Sequence, residues 1–105
     1  MSGILGQAAI APAATTVVYT VPEGRRAVVN ISLCNTGDGT AITGMALCAA
    51  DTPDPAEWIE SGTPLAAHGA LERTGIVLQA GRRVVIRSDV TGVSASVWGM
   101  EEEVA

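Results

Sequence analysis

Apolar and polar residues alternate from residue 26 to residue 34, and this pattern predicts a long β-strand. Every second residue is apolar, in the series Ala27, Val29, Ile31 and Leu33. Asn30 and Ser32 lie between them, and a period of two is typical of a half-buried strand. Before the strand, Pro22 and Gly24 favour a tight turn, because proline fixes φ at its first corner and glycine tolerates the φ > 0 that closes it.

The same pattern of turn and strand returns at residues 79–88. Gly81-Arg82-Arg83 there precedes a run of β-branched residues, as Gly24-Arg25-Arg26 precedes the first strand. We therefore expect two strands in comparable positions of one sandwich. Two short copies are too few to indicate a repeat architecture.

The remaining strands are separated by turn residues. These strands are predicted at residues 15–21, 40–48, 71–78 with a break at Gly75, and 93–101. Short strands at spacings of about 8–12 residues are typical of sandwiches and barrels. With 105 residues, the chain is predicted to form one all-β domain over residues 15–105, an antiparallel β-sandwich of the immunoglobulin-like or jelly-roll-like type.

A dense turn signal at residues 35–39 suggests that residues 26–48 form a β-hairpin. In that register Cys34 pairs with Ala41 and Cys48 faces Ala27, which leaves the two sulfurs too far apart for a disulfide. Free thiols are therefore expected, as is usual in cytosolic proteins.

Two further segments differ from the strands. Asp54, Pro55 and Glu57 form a helix-start signal, which predicts one short helical turn. Residues 1–14 are rich in glycine and alanine and are interpreted as an extended N-terminal arm. Such an arm covers its own sheet or adds a strand to the edge of a neighbour's sheet.

The composition narrows the function classes. The chain is 48% hydrophobic and only 3% aromatic, so its core must be built from Val, Ile, Leu and Ala, and the low charge suggests that part of its surface is covered. A net charge of −5 argues against a nucleic-acid partner. The sequence contains no run of about 18 apolar residues, so no membrane-spanning helix is predicted. The N-terminus lacks the basic region of a signal peptide, so cytoplasmic synthesis is expected.

Candidate chemistry is sparse. The single histidine, His68, lies in a loop with no orienting acid or nucleophile that the sequence can place beside it. Acidic residues recur every three positions at Asp51, Asp54, Glu57 and Glu60, but their spacing does not match a calcium loop. We therefore predict no catalytic residues, no metal and no cofactor.

Four stretches together resemble small β-sandwich proteins of tailed-bacteriophage virions. They are residues 19–35, which read YTVPEGRRAVVNISLCN, and residues 55–60, 71–81 and 93–102. The resemblance covers roughly residues 17–102 and rests on the order of these stretches. It implies a non-enzymatic virion structural protein, made in the host cytoplasm: a head decoration protein, or alternatively a tail or tail-fibre component. It also implies assembly as a homo-oligomer, a trimer, with a major capsid protein or a tail protein as the further partner.

The last predicted strand carries the clearest sign of a partner. Trp98 and Met100 fall on the face opposite its core residues, where they would form an exposed apolar pair. With the apolar residues of the arm, the predicted interface consists of Ile4, Leu5, Ile10, Trp98 and Met100. A different function, a carbohydrate-binding module on a fibre, would require exposed aromatic rings, for which the chain offers Trp58, Trp98 and Tyr19.

Overall fold

The computed structural model describes residues 2–104, which form two antiparallel four-stranded sheets packed face to face. Sheet A contains, in spatial order, β1 (Ser2–Ala9), β8 (Val93–Glu103), β3 (Arg25–Asn35) and β6 (Ala70–Leu78). Sheet B contains β2 (Ala14–Thr20), β7 (Arg83–Ser88), β4 (Ala41–Cys48) and β5 (Trp58–Leu65). One 3₁₀ turn, Pro55–Glu57, lies between β4 and β5. The predicted antiparallel β-sandwich with one short helical turn is confirmed.

The strand order distinguishes between the two sandwich types expected. The chain crosses from one sheet to the other at every connection in the described range except β4 to β5, which are neighbours in sheet B. Eight strands arranged in this way form a jelly roll, whereas an immunoglobulin sandwich divides seven strands as four and three. The two related turn-and-strand segments, β3 and β7, each occupy an inner position of their sheet, as expected.

The predicted hairpin over residues 26–48 is wrong. β3 pairs with β6 and β8, while β4 pairs with β5 and β7, so the turn between them crosses from sheet A to sheet B. Each strand has an apolar face, and placing the two strands in opposite sheets lets both faces bury against one core. Both cysteines are free, as predicted, although the predicted register is not the reason. Cys34 lies in sheet A and is exposed, whereas Cys48 lies in sheet B and is buried.

The core lies between the sheets and is built mainly from aliphatic side chains. Its largest fully buried apolar residues are Val21, Val29, Ile31, Leu33, Met45, Val84, Ile86, Val93 and Val97. The alternation read in β3 is observed, since its four predicted apolar positions are all fully buried. These inner faces fix which side chains remain outside and so determine the surface described below.

The segment interpreted as an arm takes part in the sandwich. β1 is the edge strand of sheet A and pairs with β8, and Ile10 immediately after it is only 4% exposed in the core. Close approach to β2 is possible because residue 6 is glycine: a Cβ there would lie 2.3 Å from the Val18 carbonyl oxygen. The structure therefore shows a strand where the sequence suggested a segment outside the sandwich.

Candidate functional site: an apolar band on sheet A

Five large apolar side chains cross the outer face of sheet A and form what we call the apolar band. Their positions follow from the register: β1 places Ile4 opposite Trp98 of β8, and Met100 of β8 lies opposite Val28 of β3, which in turn pairs with Val77 of β6. The band consequently includes all four strands of the sheet.

The band is accessible to solvent. Ile4 is 61% exposed, Val77 67% and Met100 48%, while Trp98 is half-buried. The outer face of an antiparallel sheet is ordinarily polar when it meets water. Single exposed apolar residues are common, but a continuous group across a sheet is a candidate contact surface.

Polar groups at both ends of the band already have partners. At one end Arg26 and Glu102 form an ion pair at 3.4 Å. At the other, the Gln7 amide donates a hydrogen bond to the Ser96 hydroxyl at 3.2 Å. The band thus has an apolar centre and a polar rim, the usual arrangement of a protein–protein interface.

Three of the five predicted interface residues, Ile4, Trp98 and Met100, lie together in the band. The other two do not: Ile10 is buried in the core, and Leu5 packs against it from a bulge in β1. The sequence reasoning missed Val28 and Val77. Their signal was present, because each is a valine in a polar position of its strand's alternation.

The end of β8 extends beyond the strand predicted at residues 93–101. The strand continues to Glu103, with Glu101, Glu102 and Glu103 paired to residues of β3. The Tyr19 hydroxyl donates a hydrogen bond of 2.6 Å to the Glu101 carboxylate. Burial and this carboxylate raise the pKa of Tyr19 well above its usual range. These contacts hold the part of β8 next to Met100.

A concave region lies on the opposite side of the molecule, on the outer face of sheet B. It has a volume of about 360 Å³ and is lined by Gly44 of β4, Trp58 and Ser61 of β5, Arg87 of β7 and Asp89, which follows β7. Trp58 also packs against a small cluster formed by Ala46, Cys48 and Val85. The next residue, Ile59, is exposed.

Three of the four acidic residues considered for metal binding form ion pairs with arginines. Asp51 pairs with Arg83 at 2.8 Å and Glu57 with Arg82 at 3.0 Å, and Glu60 pairs with Arg73. Within residues 2–104 no group of three or more His, Cys, Asp or Glu side chains is placed to hold a metal ion.

His68 is exposed, as expected. It lies in a turn with φ of 61°, and its Nε2 is 3.6 Å from the Asp38 carboxylate, which is also exposed. No hydroxyl or thiol forms a hydrogen bond with His68 in the described part of the chain, so this pair lacks the nucleophile that an acid–histidine arrangement activates.

A comparison with protein-family models found no match, and a comparison with curated protein sequences found no significant match. Among residues 2–104, no helix has the length and apolar character needed to cross a membrane.

Proposed function

We propose that this protein is a non-enzymatic structural protein of a tailed-bacteriophage virion and that it assembles with further copies of itself through the apolar band. The observation that carries the proposal is the continuous apolar band that the exposed Ile4, Met100, Val28 and Val77 form with the half-buried Trp98 on one sheet. The resemblance of four stretches to virion β-sandwich proteins supplies the context, a head decoration protein. The jelly roll agrees with it by analogy, since viral capsid domains use this architecture.

The physical argument is one of desolvation. Tryptophan and methionine are enriched in the centres of interfaces, and truncation of a buried interface tryptophan often costs more than about 2 kcal/mol. Trp98 and Met100 lie on the same face of β8, and they are directly opposite Ile4 of β1 and Val28 of β3, respectively. A partner that covers them therefore also covers the rest of the band. Removal of this apolar surface from water favours association.

The charge pattern favours a second copy as the occupant. Each copy carries a net charge of −5, so contact between copies requires a patch without unpaired acidic groups. The acidic side chain that follows Met100 on this face of β8, Glu102, forms an ion pair with Arg26, so the band meets this requirement at that end. A trimer is the state that the resemblance implies.

Sedimentation velocity over a dilution series tests the assembly. We expect the parent protein to sediment as an oligomer and Met100→Glu as a monomer, since a carboxylate cannot be buried in the band without a partner. Val17→Glu is the matched control, because Val17 is comparably exposed but lies on sheet B. A monomeric parent, or equal effects of the two variants, would contradict assembly through the band.

Immunogold labelling of purified phage particles tests the virion role. Labelling on heads is the expected result and supports a decoration protein that contacts the major capsid protein. Labelling confined to tails or fibres would support the alternative, with a tail protein as the partner. Particles that contain none of the protein by labelling and by mass spectrometry would overturn the virion proposal.

A further inference from the structure

The cavity on the outer face of sheet B has the features of a ligand site and is separate from the apolar band. We propose that it binds a sugar ring that carries a carboxylate, such as an acidic unit of a glycan. The proposal rests on an aromatic wall, an arginine without a partner and a fixed carboxylate around a gap in the sheet surface.

Gly44 creates the gap. On the outer face of β4 it lies between Arg87 of β7 and the irregular part of β5 near Ser61 and Gly62. A Cβ at position 44 would be 2.7 Å from Cζ3 of Trp58, so the indole ring lies directly over the glycine. The absence of a side chain at this position provides both the seat of the ring and the space beside it.

Trp58 supplies the apolar wall. Its ring packs on one side against sheet B and borders the cavity on the other. Aromatic rings combine a large apolar face with little conformational freedom, which suits them to pack against the C–H face of a sugar. The volume of about 360 Å³ lies at the lower end of the range of small-molecule sites and suits a single ring.

Arg87 supplies the charge. Its side chain is exposed and makes no hydrogen bond or ion pair with any described residue, whereas its neighbours Arg82 and Arg83 are paired with Glu57 and Asp51. A guanidinium group presents donors in a planar fork that matches a carboxylate. This unpaired fork at the cavity wall is the reason for proposing an acidic sugar rather than a neutral one.

Asp89 supplies a hydrogen-bond acceptor in the cavity wall, next to Ile42. Its Oδ1 accepts a hydrogen bond from the Ile42 N–H at 2.8 Å, and its own N–H donates to the Ile42 carbonyl oxygen at 3.2 Å. These two contacts fix the carboxylate and leave its other oxygen to accept a hydrogen bond from a sugar hydroxyl. Ser61, on the opposite wall, adds a hydroxyl.

An NMR titration of the full chain with methyl β-glucuronide tests the site, with methyl β-glucoside as the matched neutral sugar. We expect the glucuronide to shift the Trp58 indole N–H and the Ser61 and Gly62 amides. The glucoside should bind at least tenfold more weakly, because it lacks the charge-assisted contact with Arg87. Arg87→Gln should lose this preference for the glucuronide.

Arg25→Gln is the control for the change in charge, since it removes an arginine at the start of β3 that lies outside the apolar band, and it should bind like the parent. Arg87 is exposed, so its replacement leaves the core intact, and an unchanged amide spectrum away from the cavity verifies this. The proposal is overturned if neither sugar shifts the cavity residues, if both bind equally, or if Arg87→Gln keeps the preference. Sedimentation of Arg87→Gln as the parent oligomer would show that the site and the assembly are independent.

Discussion

At the scale of single residues, Asn35 shows how one buried polar group connects the two sheets. It is completely buried at the end of β3, in sheet A. Its Nδ2 donates to the carbonyl oxygens of Gly39 and Leu65, at 2.9 and 3.0 Å, and its Oδ1 accepts from the Gly37 N–H at 3.0 Å. Leu65 belongs to sheet B, so Asn35 fixes the turn and its crossing between the sheets.

Asn35→Ala is expected to lower the free energy of unfolding by about 1–3 kcal/mol, because buried backbone groups lose their partners. Urea denaturation monitored by circular dichroism measures the change. Asp38→Ala in the same turn is the control: its side chain is fully exposed, so its effect should stay within about 0.5 kcal/mol. Equal effects of the two substitutions would show that the Asn35 hydrogen bonds do not stabilise the turn.

The residue scale also shows what a pattern can and cannot assign. The period of two placed Trp98 and Met100 on the outer face correctly, because side chains alternate strictly along a regular strand. It gave no position to Ile4, Leu5 and Ile10, which lie in a segment without clear alternation. Only the pairing of β1 with β8 separates the exposed Ile4 from the buried Ile10.

At the scale of elements, the 3₁₀ turn at Pro55–Glu57 was predictable, and so was the contact between Glu57 and the backbone of Asp54, because both belong to the helix-start signal. The Glu57 carboxylate accepts from the Asp54 N–H at 2.9 Å. It also accepts from the Ala49 N–H at 2.9 Å and pairs with Arg82, and these two contacts were not predictable. Ala49 and Arg82 both lie outside the helix-start motif, so the local sequence did not reveal their contacts with Glu57.

These contacts make the stability of the protein depend on pH. Hydrogen bonds from the N–H groups of Asp54 and Ala49 lower the pKa of Glu57, and the Thr63 hydroxyl and then Arg73 lower the pKa of Glu60. A lowered pKa in the folded state stabilises the fold above the pKa of an unfolded glutamate, about 4.3. That stability is lost as the pH falls through the folded-state value.

We therefore expect the thermal unfolding midpoint to fall once the pH drops below about 4.3, and to fall less in Glu57→Gln. Scanning calorimetry from pH 7 to pH 3 measures this, with Glu23→Gln as the control because Glu23 is exposed and makes no hydrogen bond or ion pair with a described residue. An acid profile of Glu57→Gln identical to that of Glu23→Gln would contradict the role assigned to Glu57.

At the scale of the whole molecule, the strands and their faces were predictable and their partners were not. Alternation shows which side chains face a core, but both sheets of a sandwich face the same core. The short turn after β3 is equally suited to a hairpin within one sheet and to a crossing between two. The apolar band depends on the same long-range pairing, because β3 and β6 supply Val28 and Val77 only once they lie beside β8.

Fluorescence of Trp98 as a function of protein concentration tests assembly through the band most directly. In Trp58→Phe, Trp98 is the remaining tryptophan, since the chain has two. We predict that, as the protein concentration rises and the oligomer forms, the emission of Trp98 moves to shorter wavelengths and its quenching by iodide decreases. Trp98→Phe, which reports on Trp58, should show no such change. An emission of Trp98 that stays constant over concentrations at which sedimentation shows association, or a protein that never associates, would contradict the account.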